Sequence, residues 1–128
     1  MVNDDINNVI DSLDKYEGID LVFGGPPCQG FSVAGKMNPD DDRSKLVFTF
    51  LDVIEKVRPR AFVMENVKAL GVLEKWEPVR RRYLERTRSL GYNCIPFILN
   101  ATEYGVSQKR ERVFFIGIRN NNDPFFEY

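Results

Sequence analysis

The stretch Ile19-Asp20-Leu21-Val22-Phe23-Gly24-Gly25-Pro26-Pro27-Cys28-Gln29-Gly30-Phe31-Ser32 decides the fold of this chain. Its first part, residues 19–24, is an apolar run that predicts a strand covered on both faces. Two glycines and two prolines follow: glycine lets the backbone turn sharply, and proline stiffens the turn. Cys28 is therefore expected on a rigid turn at the exit of a strand, where a scaffold can hold a nucleophile.

Helical and extended patterns alternate along the rest of the chain. This alternation predicts an α/β fold built on a doubly wound, mostly parallel sheet. The last two strands have no helical segment between them, so we expect them to pair as an antiparallel hairpin. The predicted order is a helix over 5–16, a strand over 19–24, a helix with its apolar face over 46–57, a strand over 60–64, a helix over 74–90, and strands over 92–99 and 112–119.

Two polar residues, Glu65 and Asn66, come directly after the predicted strand over 60–64. In open sheets of this kind, ligands bind at the carboxyl ends of the strands. Cys28 and Glu65 follow two such ends, so we expect them to share one site.

Composition narrows the class of protein. The 128 residues suit one domain or part of one, and no apolar run is long enough to span a membrane. The two cysteines, Cys28 and Cys94, give little support for a disulfide, and the acidic N-terminus lacks the pattern of a signal peptide, so we expect a cytoplasmic protein. The sequence has no histidine, which excludes serine–histidine and cysteine–histidine hydrolases.

The formal net charge of -1 means that nucleic-acid binding would need a local basic patch. The run over 80–86 contains such charges. It is better explained as the solvated face of a helix, because charge runs at helical spacing usually are.

Three short blocks carry a family resemblance: Pro-Pro-Cys-Gln-Gly-Phe-Ser at 26–32, Glu-Asn-Val at 65–67 and Gln-Lys-Arg-Glu-Arg at 108–112. In their types, order and strand contexts they resemble the central part of a cytosine-5 DNA methyltransferase. The resemblance implies the sheet of S-adenosylmethionine-dependent methyltransferases with a terminal antiparallel strand. It also implies S-adenosyl-L-methionine as cofactor, double-stranded DNA as partner, and a place in restriction–modification.

The chemistry of cytosine methylation explains why these residue types are needed. Carbon 5 of cytosine is a poor nucleophile, and addition of a thiolate, here Cys28, to carbon 6 turns the ring into an enamine. By resemblance, Glu65 protonates or hydrogen-bonds ring nitrogen 3 and selects cytosine through its amino group. This role needs a carboxyl group that keeps its proton, which burial at a strand end favours.

The resemblance assigns further residues to the site. Arg112 is expected at the base oxygen and Arg110 near the nucleophile, while Asn66 braces the cysteine turn. The loop from Ser32 to Asp42 is expected to close over a base flipped out of the duplex. The other residues expected at the substrate are Pro26, Gln29 and Gln108, and those expected at the cofactor are Asp5, Ile6 and Pro27.

The chain also departs from the family. No Gly-x-Gly element precedes residue 19, and the target-recognition region and last helix of the family have no counterpart. We therefore expect a fragment of one catalytic domain that alone neither binds the cofactor tightly nor methylates DNA. Such a fragment would expose the edge of the strand over 19–24, which invites self-association or a complementing subunit.

Three other functions stay open at this point. A tRNA cytosine-5 methyltransferase would share the fold and chemistry. An amino-group methyltransferase would carry an aromatic residue where Cys28 stands. A non-catalytic nucleic-acid-binding or assembly module would not need the trio of Cys28, Glu65 and Arg112.

Overall fold

The computed structural model describes residue 6 and residues 10–27, 35–100 and 111–120. These residues form a four-stranded sheet with a layer of helices packed on one of its faces. The strands are β1 (Leu21–Gly24), β2 (Ala61–Val67), β3 (Tyr92–Asn100) and β4 (Glu111–Arg119). The helices are α1 (Lys45–Val57), α2 (Lys68–Val72) and α3 (Glu77–Ser89), with 3₁₀ helices at Ile10–Tyr16, Asp42–Ser44 and Glu74–Trp76.

The strand order in the sheet is β1-β2-β4-β3. β1 and β2 are parallel, and β4 pairs antiparallel with β2 on one side and with β3 on the other. Three strands thus run one way and the last runs the other, as the predicted fold class and hairpin require. What the sequence did not predict is that β4 lies inside the sheet.

The core lies between the sheet and the helices. Alternate residues of β2 point into it, and Phe62 and Met64 are fully buried there. The ring of Phe62 lies over Gly117 on the neighbouring strand, where a Cβ would come within 2.2 Å of the ring. Only glycine permits this approach. The remaining members of the buried core are Met37, Val47, Phe50, Leu51, Ile54, Leu70, Trp76, Val79, Tyr83, Tyr92, Val113 and Phe115.

The expectation that both faces of β1 are covered is wrong for this chain. Leu21 is 53% exposed and Phe23 is 64% exposed. β1 ends the sheet, and nothing among the described residues packs over these two side chains. The apolar side chains of β1 are therefore covered on one face of the strand only.

Several element boundaries differ from those predicted. β2 continues through Glu65, Asn66 and Val67, so these residues belong to the strand and do not follow it. In the described part of the predicted first helix, Ile6 is α-helical and Ile10–Tyr16 is a 3₁₀ helix. The short helix α2 was not predicted.

The arginines of the run over 80–86 serve the fold. On α3, Arg86 forms ion pairs with Asp52 and Glu55 of α1, and Arg82 lies 2.6 Å from a carboxylate oxygen of Asp40. Arg80 donates a hydrogen bond to the carbonyl oxygen of Leu70 at 2.9 Å. These contacts agree with the interpretation of the run as a helix face. Within the ranges given above, no helix combines the length and apolar character that crossing a membrane requires.

Candidate active site

The candidate site lies where β1 and β2 end side by side. The two strands are parallel and in register, with Gly24 opposite Met64. The residues that follow these two, Gly25 and Glu65, are consequently neighbours. This is the juxtaposition expected from the carboxyl ends of adjacent parallel strands.

Glu65 and Arg112 form an ion pair at this edge. Arg112 is opposite Val67 in the antiparallel ladder, so its side chain shares a face with Val67 and with Glu65 two residues earlier. Oε1 of Glu65 lies 3.1 Å from Nε of Arg112, and each side chain is a little over one quarter exposed. The Nε–H has no aligned acceptor, so the contact is a charge pair and not a directed hydrogen bond.

Asn66 points to the opposite face of β2 and is 5% exposed. Its Nδ2 donates a hydrogen bond to the carbonyl oxygen of Pro26 at 2.8 Å, and its Oδ1 accepts one from the backbone N–H of Val67 at 2.9 Å. Asn66 therefore ties the Gly-Gly-Pro-Pro turn to the end of β2.

A polar cleft of about 280 Å³ opens between these groups. It is lined by 25–27, 65–67 and Arg112. Cys28 directly follows this lining in the chain. A planar base entering the cleft would meet a carboxyl group and a guanidinium group side by side.

A second ion pair lies next to Arg112, at the end of the β2–β4 ladder. Nζ of Lys68, the first residue of α2, lies 2.6 Å from Oε2 of Glu111, the first residue of β4. The pair joins the end of β2 to the start of β4, next to Arg112. The sequence carried no signal for it, because the two residues are far apart in the chain and neither belongs to a helical or strand pattern.

A larger, mostly apolar cleft of about 380 Å³ lies on the α1 side of the same turn. Ile6 and Pro27, two of the residues expected at the cofactor, both line it. The other lining residues are Val22, Phe23, Gly24, Gly25, Pro26, Leu46, Thr49, Phe50 and Val53. The turn thus separates a polar cleft from an apolar one.

Six of the predicted site residues lie outside the described residues: Asp5, Cys28, Gln29, Ser32, Gln108 and Arg110. The expected loop from Ser32 to Asp42 is described from residue 35 onwards. There Met37 is 1% exposed, and its backbone N–H donates to the carbonyl oxygen of Lys75 at 2.8 Å. The end of the loop is thus attached to the core.

Cys94 is excluded as a nucleophile by its surroundings. It lies on β3, partly covered by the core, and burial raises the pKa of its thiol to about 12. A thiol with such a pKa is almost entirely protonated at neutral pH, whereas the thiolate is the reactive form.

Known structures share this fold. A prophage-encoded DNA modification methyltransferase from E. coli matches with a TM-score of 0.70 and 31% identity, over 92% of this chain and 33% of that one. The DNMT2 protein of Spodoptera frugiperda matches with a TM-score of 0.63 over 98% of this chain and 38% of that one. At 23% identity, the second likeness speaks for the fold alone.

Relatives are also found by sequence. The type II methyltransferase M.BspRI of Lysinibacillus sphaericus is 41% identical over 119 residues, which are 93% of this chain and 28% of the relative. M.FnuDI of Fusobacterium nucleatum is 36% identical, over 100% of this chain and 37% of its own length. M.AquIA of a Picosynechococcus species is 44% identical, over 79% and 44%.

The chain therefore spans less than half the length of each of these relatives. Residues 1–127 match the family model of the C-5 cytosine-specific DNA methylases, which is nearly the whole chain. Together with the shared fold, this match means that the chain belongs to the C-5 cytosine-specific DNA methylase family.

Proposed function

We propose that the protein transfers a methyl group from S-adenosyl-L-methionine to carbon 5 of cytosine in double-stranded DNA. The observation that carries the proposal is the Glu65–Arg112 pair at the mouth of the polar cleft, beside the turn that leads to Cys28. Cytosine has adjacent groups, ring nitrogen 3 and the oxygen at position 2, that a carboxyl and a guanidinium group complement.

In the first step, the thiolate of Cys28 forms a bond to carbon 6 of the base. The electron pair of the 5,6 double bond shifts to carbons 4 and 5. The pair between carbon 4 and nitrogen 3 moves onto nitrogen 3, which takes a proton from Glu65; this step requires Glu65 in its carboxylic acid form. Arg112 holds the oxygen at position 2 and compensates the charge that develops on the ring.

Completion of the reaction restores the aromatic base. When bound, S-adenosylmethionine would supply the methyl group to carbon 5 and would be left as S-adenosylhomocysteine. A base then removes the proton from carbon 5, the electron pair re-forms the 5,6 double bond, and the bond from carbon 6 to sulfur breaks. Cys28 leaves as a thiolate, and nitrogen 3 returns its proton to Glu65.

The apolar cleft beside the turn suits the cofactor. Ligand sites are concave and mostly apolar with a few polar groups, and Ile6 and Pro27 belong to such a lining here. Asp5 precedes Ile6 directly and would add a polar group. Because Pro27 contacts this cleft and Cys28 is the next residue, cofactor and base would approach the turn from its two sides.

Double-stranded DNA is the favoured substrate over tRNA. The family description names a DNA methylase, and M.BspRI and M.FnuDI are type II methyltransferases by name. A base inside a duplex is out of reach of Glu65 and Arg112, so the target must be flipped into the polar cleft. The energetic cost of flipping is a few kcal/mol.

The test is methylation by the protein in its complete natural form. It is incubated with S-adenosylmethionine and unmethylated genomic DNA, and 5-methylcytosine is mapped by bisulfite sequencing. Methylation at one recurrent sequence is expected for the wild type and for Cys94→Ala, and none for Cys28→Ala. Cys94→Ala is the matched control, because Cys94 packs against the core on β3, does not line the polar cleft, and has a raised thiol pKa that disfavours the reactive thiolate.

Three results would contradict the proposal. Methylation that survives Cys28→Ala would remove the covalent mechanism. Transfer to tRNA but not to duplex DNA would favour the alternative substrate. Binding of duplex DNA without any methyl transfer would favour a non-catalytic module.

The free edge of β1 is the proposed contact for a further polypeptide. Among the described strands β1 pairs only with β2, and its outward residues Leu21 and Phe23 are exposed. The opposite edge strand, β3, carries Pro96, which lacks an N–H and discourages strand addition. The 128-residue chain alone is therefore expected to self-associate through β1, or to recruit a complementing subunit there, and to be inactive alone.

A further inference from the structure

Gly25 lies directly against the carboxyl group of Glu65. A Cβ built on Gly25 would lie 2.9 Å from Oε2 of Glu65, 3.6 Å from its carbonyl oxygen and 4.0 Å from its Cδ. The three nearest atoms thus all belong to one residue. Arg112 meets the other carboxyl oxygen, Oε1, at 3.1 Å.

Backbone conformation does not explain the glycine at this position. Among the described glycines, only Gly18, Gly35 and Gly91 have the positive φ angles that L residues avoid. Gly25 has a φ that alanine can adopt, so its lack of a side chain matters for space alone. The space that it leaves is filled by the carboxyl group of Glu65.

We propose that Gly25 is a positioning residue of the active site, which leaves room for the carboxyl group of Glu65 to face the base. The inference rests on the proposed function, in which Glu65 protonates ring nitrogen 3. Arg112 and Gly25 fix the carboxyl group from two sides: the cation holds one oxygen, and the bare backbone receives the other. Neither contact requires Gly25 to touch the substrate.

A methyl group added at Gly25 would meet a side chain and not the backbone of the turn. The atom that it would meet is the end of a flexible side chain, so the carboxyl group moves while the backbone stays in place. A misplacement of about 1 Å at a reacting group costs up to about 100-fold in rate. Gly25→Ala should therefore reduce catalysis and leave the stability of the fold intact.

The experiment is a double-mutant cycle in the complete natural protein, with duplex DNA and S-adenosylmethionine. We expect Gly25→Ala to lower kcat by on the order of 10- to 100-fold, to change the KM for the cofactor less than kcat, and to leave the melting temperature unchanged. Glu65→Gln alone should cost about 100- to 10,000-fold. If Gly25 acts through Glu65, Gly25→Ala in the Glu65→Gln background should change kcat by less than about twofold.

Gly24 provides the matched control. A Cβ on Gly24 would come within 2.8 Å of the Phe50 ring, which belongs to the core. Gly24→Ala should lower the melting temperature, and its effect on kcat should add to that of Glu65→Gln. Comparing kcat and the melting temperature of the two variants therefore distinguishes a residue that positions Glu65 from one that only packs against the core.

Two outcomes would overturn the inference in distinguishable ways. If Gly25→Ala loses as much rate in the Glu65→Gln background as in the wild type, the positioning role is refuted and the proposed function is untouched. If the wild-type protein methylates no cytosine, the proposed function fails, and the positioning role fails with it.

Discussion

Asn66 joins the two halves of the candidate site through one buried side chain. It donates to the carbonyl oxygen of Pro26 and accepts from the N–H of Val67, so both of its polar ends are satisfied. A buried polar group that loses its partner costs about 1–3 kcal/mol. The position of the turn before Cys28 thus depends on the amide of Asn66.

Replacing Asn66 tests this dependence. Asn66→Ala should lower the free energy of unfolding by about 1–3 kcal/mol, because the carbonyl oxygen of Pro26 and the N–H of Val67 lose their partner. Methyl transfer should fall as well. The measurements are urea denaturation and the rate of methyl transfer in the complete natural protein.

The control for this substitution is Asn93→Ala, at an exposed position on β3. It should change the free energy of unfolding by less than about 0.5 kcal/mol. Equal stability of the two variants would mean that the bridge to Pro26 contributes nothing to the fold.

At the level of residues, the sequence named candidates for the site but not the contacts between them. The family blocks pointed to Glu65, Asn66 and Arg112, and the structure brings Glu65 and Arg112 within 3.1 Å. The contact itself depends on the ladder register of β2 and β4, which no local pattern encodes. The sequence places Gly25 only in a turn, because its close approach to the carboxyl group of Glu65 is visible only in the folded structure.

Asp41 controls the start of helix α1. Its side chain caps the 3₁₀ helix Asp42–Ser44 by accepting from the backbone N–H of Arg43, and it also pairs with the Arg43 guanidinium. These hydrogen bonds, with the Arg43 side chain contributing most, hold the pKa of the Asp41 carboxyl well below its usual value of 3.8. The cap connects the loop that carries Met37 to α1.

The sign of the pH dependence follows from this shift. A carboxyl group with a lowered pKa in the folded state adds stability above its unfolded pKa and loses it as the pH falls through the folded value. Asp41→Asn should therefore melt at a lower temperature than the wild type near neutral pH. The difference should shrink as the pH falls below about 3.8, as measured by thermal denaturation across a pH series.

Asp42→Asn serves as the control, because the structure shows no ion pair for Asp42 in the part of the chain that it describes. Its difference from the wild type should not vary with pH in this way. A difference for Asp41→Asn that persists unchanged in acid would contradict the role of the charged cap.

Helices and strands whose apolar residues recur at regular spacing could be predicted from the sequence, whereas short or polar elements could not. The apolar face over 46–57 became α1, and the strands over 92–99 and 112–119 became β3 and β4. β2 was predicted too short, because Glu65 and Asn66 interrupt the apolar run while their backbones still pair with β4. The helix α2 has only five residues, which is too few for a period to be seen.

On the scale of the whole molecule, the two edges of the sheet differ. β3 carries Pro96, which discourages strand addition, while β1 has no second partner among the described strands and exposes the side chains of Leu21 and Phe23. The place of β4 between β2 and β3 could not be predicted. The pattern of apolar residues predicts that a segment is a strand, but it does not predict which strands lie next to it in the sheet.

A lysine at the β1 edge tests the proposed self-association. Phe23→Lys places a charge where Phe23 is 64% exposed, so folding should be preserved. The dissociation constant of the assembly formed by the 128-residue chain should rise by about tenfold or more, since an apolar contact is lost. Sedimentation velocity over a range of concentrations measures it.

Val72→Lys is the comparison, because Val72 is 47% exposed on α2 and lies away from β1. It should leave the assembly unchanged. Weakening by both variants alike would mean that general apolar exposure, and not the β1 edge, drives association. A chain that stays monomeric at high concentration would contradict the proposal outright.

The interior position of β4 has a consequence for the nascent chain. β4 follows the other three described strands in the chain, yet Phe115 lies between Met64 of β2 and Pro96 of β3. Until residues 111–119 leave the ribosome, these two earlier strands have no common neighbour and the sheet stays in two parts. We therefore expect the sheet to close late, and its unpaired strand edges and apolar side chains to be open to aggregation until then.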